Sequence, residues 1–141
     1  MSQQNAVQSA REYLATSAFS RSGLIKQLEY EGFSAGDATA AVDSLAVNWG
    51  QQAAKSGKEY LTTSAFSRSS LIKQLEYEGF SAGDATAAVD SLAVDWNDQA
   101  AKSAKEYLAT SSFSRSGLIS QLEYEGFTPA QAQYGVSQTG L

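Results

Sequence analysis

The tripeptide Glu-Tyr-Glu occurs three times in this 141-residue chain, at positions 29–31, 76–78 and 123–125. Paired carboxylates are a common source of acid–base chemistry. On a helix, however, residues two apart point about 200° apart, so Glu29 and Glu31, or Glu76 and Glu78, cannot converge on one substrate atom. A solvated face is the plain reading of each pair. Asp37, Asp43, Asp84 and Asp90 lie in the same segments, and no Lys or Arg interrupts Gln27 to Ala54 or Gln74 to Ala101. Such runs suit attraction of a basic partner better than reaction with a substrate. The chain has no Cys and no His. That removes disulfides, thiolate nucleophiles, Cys/His metal sites and imidazole catalysis together. No catalytic residue, metal ligand or cofactor site is therefore expected, and enzyme activity is the poorest hypothesis.

Tyr30, Tyr77 and Tyr124 raise a different question. On a helical wheel each falls about 200° from the preceding leucine, outside that helix's own apolar stripe. Packing against a neighbouring helix or repeat is the expected outcome. Exposed instead, they would form a ladder of partner contacts. Arg21, Arg68 and Arg115 sit where a helix begins, and the macrodipole there disfavours a cation. A salt bridge to Glu12, Glu59 or Glu106 of the preceding helix would offset this.

These groups are carried by a repeat. "LIKQLEYEGFSAGDATAAVDSLAV" runs from Leu24 to Val47 and again, letter for letter, from Leu71 to Val94. A looser copy closes the chain from Leu118 to Leu141. The period is 47 residues, marked by Phe19, Phe66 and Phe113. It divides the chain into residues 1–47, 48–94 and 95–141, the last diverging after Gly126. A lone unit of this size is marginal, whereas stacked units can share a core.

The periodicity is helical throughout each unit. Asn48 and Asp95 read as N-caps of a first helix, whose stripe in the last copy is Ala100, Ala101, Ala104, Tyr107, Leu108 and Ser111. Ser20, Ser67 and Ser114 read as caps of a second helix, with Leu24, Ile25 and Leu28 on its buried side. Gly32, Gly79 and Gly126 stop it, and Phe33, Phe80 and Phe127 fold back onto the core. Ser34 with Asp37, or Thr128 with Gln131 and Pro129, opens a third helix. The expected fold is all-α, with three tandem three-helix units. Trp49 and Trp96 stand only at the joints between units. They read as structural seals, or as the buried side of a helix running through each joint.

The second and third helices outline a helix-turn-helix. That makes DNA binding an alternative function, but the third helix, "SAGDATAAVDSLAV", offers two Asp and no cation. Phosphate contact needs Lys or Arg. The net charge of −5 also disfavours nucleic acid and anionic membrane. No apolar run approaches the ~20 residues of a membrane span. The chain carries no signal pattern and no lipidation Cys, which leaves the cytoplasm or a segment of a longer secreted protein.

The phrase "SAFSRSGLIKQLEYEGFS", with "EYL" before it and "AVDSL" and "NW" after it, closely resembles the Ltp-like host cell surface-exposed lipoprotein repeat. The resemblance runs from about Arg11 to the C-terminus. The third copy departs from it, with Ser137 and Thr139 where the pattern has Asp and Leu. The resemblance implies three-helix repeats, lipid-anchored outside Gram-positive or prophage-bearing cells, that bind protein and are not enzymes. In phage-encoded members it implies superinfection exclusion by interference with DNA injection. The combined expectation is a monomeric, extracellular protein-binding array with a basic phage or host protein as partner. A purely structural spacer is the remaining alternative.

Overall fold

The computed structural model describes residues 2–141, in which nine helices and no strands occur. The first unit contains α1 (Ser2–Thr16), α2 (Arg21–Tyr30) and α3 (Ala35–Ser44). The second contains α4 (Trp49–Thr63), α5 (Arg68–Tyr77) and α6 (Ala82–Ser91). The third contains α7 (Trp96–Thr110), α8 (Arg115–Tyr124) and α9 (Pro129–Ser137).

The boundaries follow from local chemistry. Side chains of Ser20, Ser34, Asn48, Ser67, Ser81, Asp95, Ser114 and Thr128 each accept a backbone N–H three residues on. Each therefore satisfies one of the orphan donors of a helix N-terminus. Thr128 and Gln131 close a full capping box, with Pro129 in the first turn. The second helix of each unit ends at a glycine with φ of +104° to +106°, a conformation that suits residues without a Cβ. Ala46 and Ala93 take positive φ after α3 and α6, where the third copy has Gly140. These left-handed residues break the chain before Trp49 and Trp96, so no helix runs through a joint.

Each unit has its own core. Leu24 and Leu28, Leu71 and Leu75, and Leu118 and Leu122 are fully buried, each contributing about 1.5–3 kcal/mol of apolar transfer. They pack with Ala6, Ala10, Ala38, Ala41 and Val42, or with the corresponding residues of the other units. The first and third helices of each unit make the most extensive pairing, and the substantial helix pairs all lie within units.

The units are joined by loops instead. The Ser20 hydroxyl donates to the Glu78 carbonyl at 2.5 Å, and the Ser67 hydroxyl to the Glu125 carbonyl at 2.7 Å. The Phe19 N–H donates to Gln52 Oε1 and the Phe66 N–H to Gln99 Oε1, both at 3.0 Å. Trp49 opens α4 yet packs on the first unit's core, and Trp96 opens α7 yet packs on the second's. Each tryptophan is thus a seal across a joint.

Candidate functional site

The three Glu-Tyr-Glu segments lie at the C-terminal ends of α2, α5 and α8. Their second carboxylates are not solvated bystanders. Glu31 accepts from the Tyr13 hydroxyl and, at 3.1 Å, from the Ser9 hydroxyl. Glu78 accepts from Tyr60 and, at 2.9 Å, from Ser56, and Glu125 accepts from Tyr107. Gln27, Gln74 and Gln121 each donate to the same tyrosine oxygen at 3.2 Å. The network ties the first helix of a unit to the end of its second. Each of these tyrosines also meets a phenylalanine edge-on, with centroids 5.6–5.8 Å apart.

The hydrogen bond to Glu31 raises the Tyr13 pKa above the ordinary tyrosine value. For Tyr60 and Tyr107, burial raises it most, followed by the bonds to Glu78 and Glu125. These hydroxyls therefore stay protonated as donors. Sequence reasoning missed the network because its members lie 14–22 residues apart. A usable signal was present: the Ser, Tyr, Gln and Glu at these positions are unchanged in all three copies, including the diverged third.

The arginines find a different partner from the one the sequence suggested. Arg21 makes a two-pronged contact with Asp43, at 2.7 and 2.9 Å, instead of pairing with Glu12. Arg68 does the same with Asp90, at 2.8 and 2.9 Å. The cation sits at the unfavourable N-terminus of α2 and the carboxylate near the unfavourable C-terminus of α3, so each offsets the other's dipole penalty. Arg115 lacks this partner because Ser137 replaces the aspartate.

Chiefly through its hydrogen bonds from the guanidinium, the pair holds the Asp43 and Asp90 carboxyls below the usual carboxylate range. Stability from a lowered carboxyl is present above its unfolded pKa and lost as pH falls through the folded one. Both pairs are solvent-exposed, so their contribution is small. NMR titration of the aspartate side chains should show the Asp90 midpoint rising in Arg68→Gln while Asp43 is unmoved. An unchanged Asp90 midpoint would remove the pair.

The proposed acidic face is accordingly thinner than its composition. Asp43 and Asp90 are neutralised by arginine, and Glu31 and Glu78 are engaged by hydroxyls. Asp37 and Asp84 lie in the first turns of α3 and α6, where the macrodipole favours them. Glu29 and Glu76 are exposed and form no ion pair among the described residues.

The expectation that Tyr30, Tyr77 and Tyr124 pack against a neighbour is overturned. Each is 88% exposed. The units meet through their loops and glycine turns, so no helix arrives to cover the tyrosine side of α2, α5 or α8. The three rings recur on equivalent positions of a joined array, beside Glu29, Glu76 and Glu123.

Further open space lies at the joints. A cleft of about 450 Å³ lies between the first and second units, lined by Phe19, Glu59, Tyr60 and Glu78 among others. An equivalent cleft of about 480 Å³ lies between the second and third, with Phe66, Glu106, Tyr107 and Glu125. Among the described residues no helix is long and apolar enough to cross a membrane.

No curated protein and no solved structure matches the chain significantly. The model of a family described as host cell surface-exposed lipoprotein matches it three times, over residues 2–45, 48–92 and 95–138. With three family repeats accounting for nearly the whole sequence, the chain belongs to the host cell surface-exposed lipoprotein family.

Proposed function

We propose that the chain is a non-enzymatic, protein-binding array displayed outside the cell, with Tyr30, Tyr77 and Tyr124 as its principal contacts. The observation that carries this reading is the 88% exposure of all three rings at equivalent positions. Tyrosine supplies large, stiff contact area at low entropic cost and is enriched where binding energy concentrates. Glu29, Glu76 and Glu123 beside the rings favour a basic protein partner over nucleic acid, and speed encounter more than they deepen affinity. Three weak contacts on one array add through effective concentration, which gives the repetition a use. The family placement supports a surface role. Exclusion of superinfecting phage by blocking DNA injection is the activity that best joins these features.

The test is the triple variant Tyr30→Ser, Tyr77→Ser, Tyr124→Ser, displayed on the host cell and challenged with phage. Each lost tyrosine should cost roughly 2 kcal/mol of partner binding. Protection should vanish while helicity and melting stay unchanged, because the rings support no core. Undiminished protection would leave the ladder without a function.

A further inference from the structure

The two joint clefts differ in character from the tyrosine ladder. Their walls are rich in acceptors and poor in donors. At the second joint, Glu106 and Glu125 bring two carboxylates and no lysine or arginine lines the space. The Tyr107 hydroxyl is already spent on Glu125, and Gln121 on Tyr107. Ser103 is only 5% exposed, lines the cleft, and its hydroxyl makes no hydrogen bond among the described residues. Its counterpart Ser56 donates to Glu78. No fully buried side-chain polar atom of the described residues lacks a partner, so the Ser103 hydroxyl opens into the cleft. Phe66 and Tyr107 supply aromatic surface on opposite sides of the joint. The first joint repeats this with Glu59, Glu78, Tyr60 and Phe19. On the first unit, the equivalent Glu12, Tyr13 and Glu31 line an open space of about 320 Å³.

We propose that each joint cleft is a subsite for one arginine or lysine side chain of a basic partner protein, a proposal that rests on the protein-binding reading above. An anion needs cationic donors from its site, and here no lysine or arginine lines either cleft, while the Tyr60 and Tyr107 hydroxyls are spent on carboxylates. A guanidinium brings donors only, matching the two carboxylates of each cleft and, at the second joint, the open Ser103 oxygen. Its flat face can also rest on the aromatic walls. Two subsites then sit at successive joints, and side chains at matching intervals of one segment would fill them together.

The probe is Nα-acetyl-arginine amide, titrated into the ¹⁵N-labelled full chain, with Nα-acetyl-glutamine amide as neutral control. Shifts should concentrate at Ser17, Phe19 and Ser56 and at Ser64, Phe66 and Ser103, and the neutral probe should give none. Glu59→Gln with Glu106→Gln, both on exposed positions outside the Tyr–Glu network, should weaken the response by about tenfold, the size of one charge-assisted hydrogen bond. Shifts spread evenly over Glu29, Asp37 and the other surface carboxylates would overturn the subsite, as would an equal response to the neutral probe. Loss of phage protection in the tyrosine variant together with no cleft response to arginine would sink the subsite and leave the protein-binding reading standing.

Discussion

Gly135→Ala should destabilise the third unit by about 2–3 kcal/mol, although alanine is the better helix former. A Cβ at Gly135 would lie 2.6 Å from the Ala100 carbonyl carbon and 2.7 Å from its oxygen. Backbone cannot step aside as a side-chain end can, so α9 must move away from α7. Forced overpacking of this kind costs about 1–3 kcal/mol or more. The equivalent residues Ala41 and Ala88 carry that methyl in the other units, so α7 and α9 have closed up around its absence. Gly57→Ala supplies the opposite sign. The Cβ there would sit 3.2 Å from Leu92 Cδ1, a flexible end. The first unit already holds Ala10 with Leu45 at the same two places. Removing a mid-helix glycine should then stabilise the second unit by about 1 kcal/mol. Hydrogen exchange, read unit by unit, measures both. Similar effects from the two substitutions would contradict the packing of the third unit.

Gly79→Ala should cost about 2–3 kcal/mol, and Gly32→Ala about 1 kcal/mol less. Both glycines hold positive φ, +105° and +104°, so both variants pay left-handed strain of about 1–3 kcal/mol. Around Gly32 nothing lies within 4 Å, whereas a Cβ at Gly79 would press on Ser22 Oγ and on Ser20 Oγ 2.8 Å away. Ser20 is the residue that bonds the Glu78 carbonyl across the joint. The difference between the variants is therefore the joint itself, with one hydrogen bond worth about 1 kcal/mol. Equal losses in chemical denaturation would mean that the glycine turn and the serine loop do not meet in solution.

The helices and their ends were legible in the sequence because they depend on neighbours within a few residues. Ser20, Asn48 and Asp95 cap helices as their types require, and Gly32 stops one. The Thr128–Gln131 substitution for Ser34–Asp37 marked the same boundary twice. What failed was direction across space. A wheel shows that Tyr30 leaves its own helix's stripe, but not whether another helix arrives to cover it. It shows that Arg21 needs a counter-charge, but Asp43 is brought there by the fold of α3, 22 residues away. The joints were least legible, because Ser20 and Glu78 are 58 residues apart. Of the candidate site, the tyrosines were identified and their exposure misjudged. The aspartates were identified as contacts for a basic partner, whereas Asp43 and Asp90 are paired with Arg21 and Arg68.

Docking of the units sets the spacing of the tyrosines and closes the clefts, so the central claim is that the three units tumble as one body. Measurement of ¹⁵N relaxation across all three units tests this most directly. Residues of α2, α5 and α8 should share one anisotropic rotational tensor appropriate to 141 residues. Three separate, faster correlation times, each fitting a freely tumbling 47-residue bead, would contradict it.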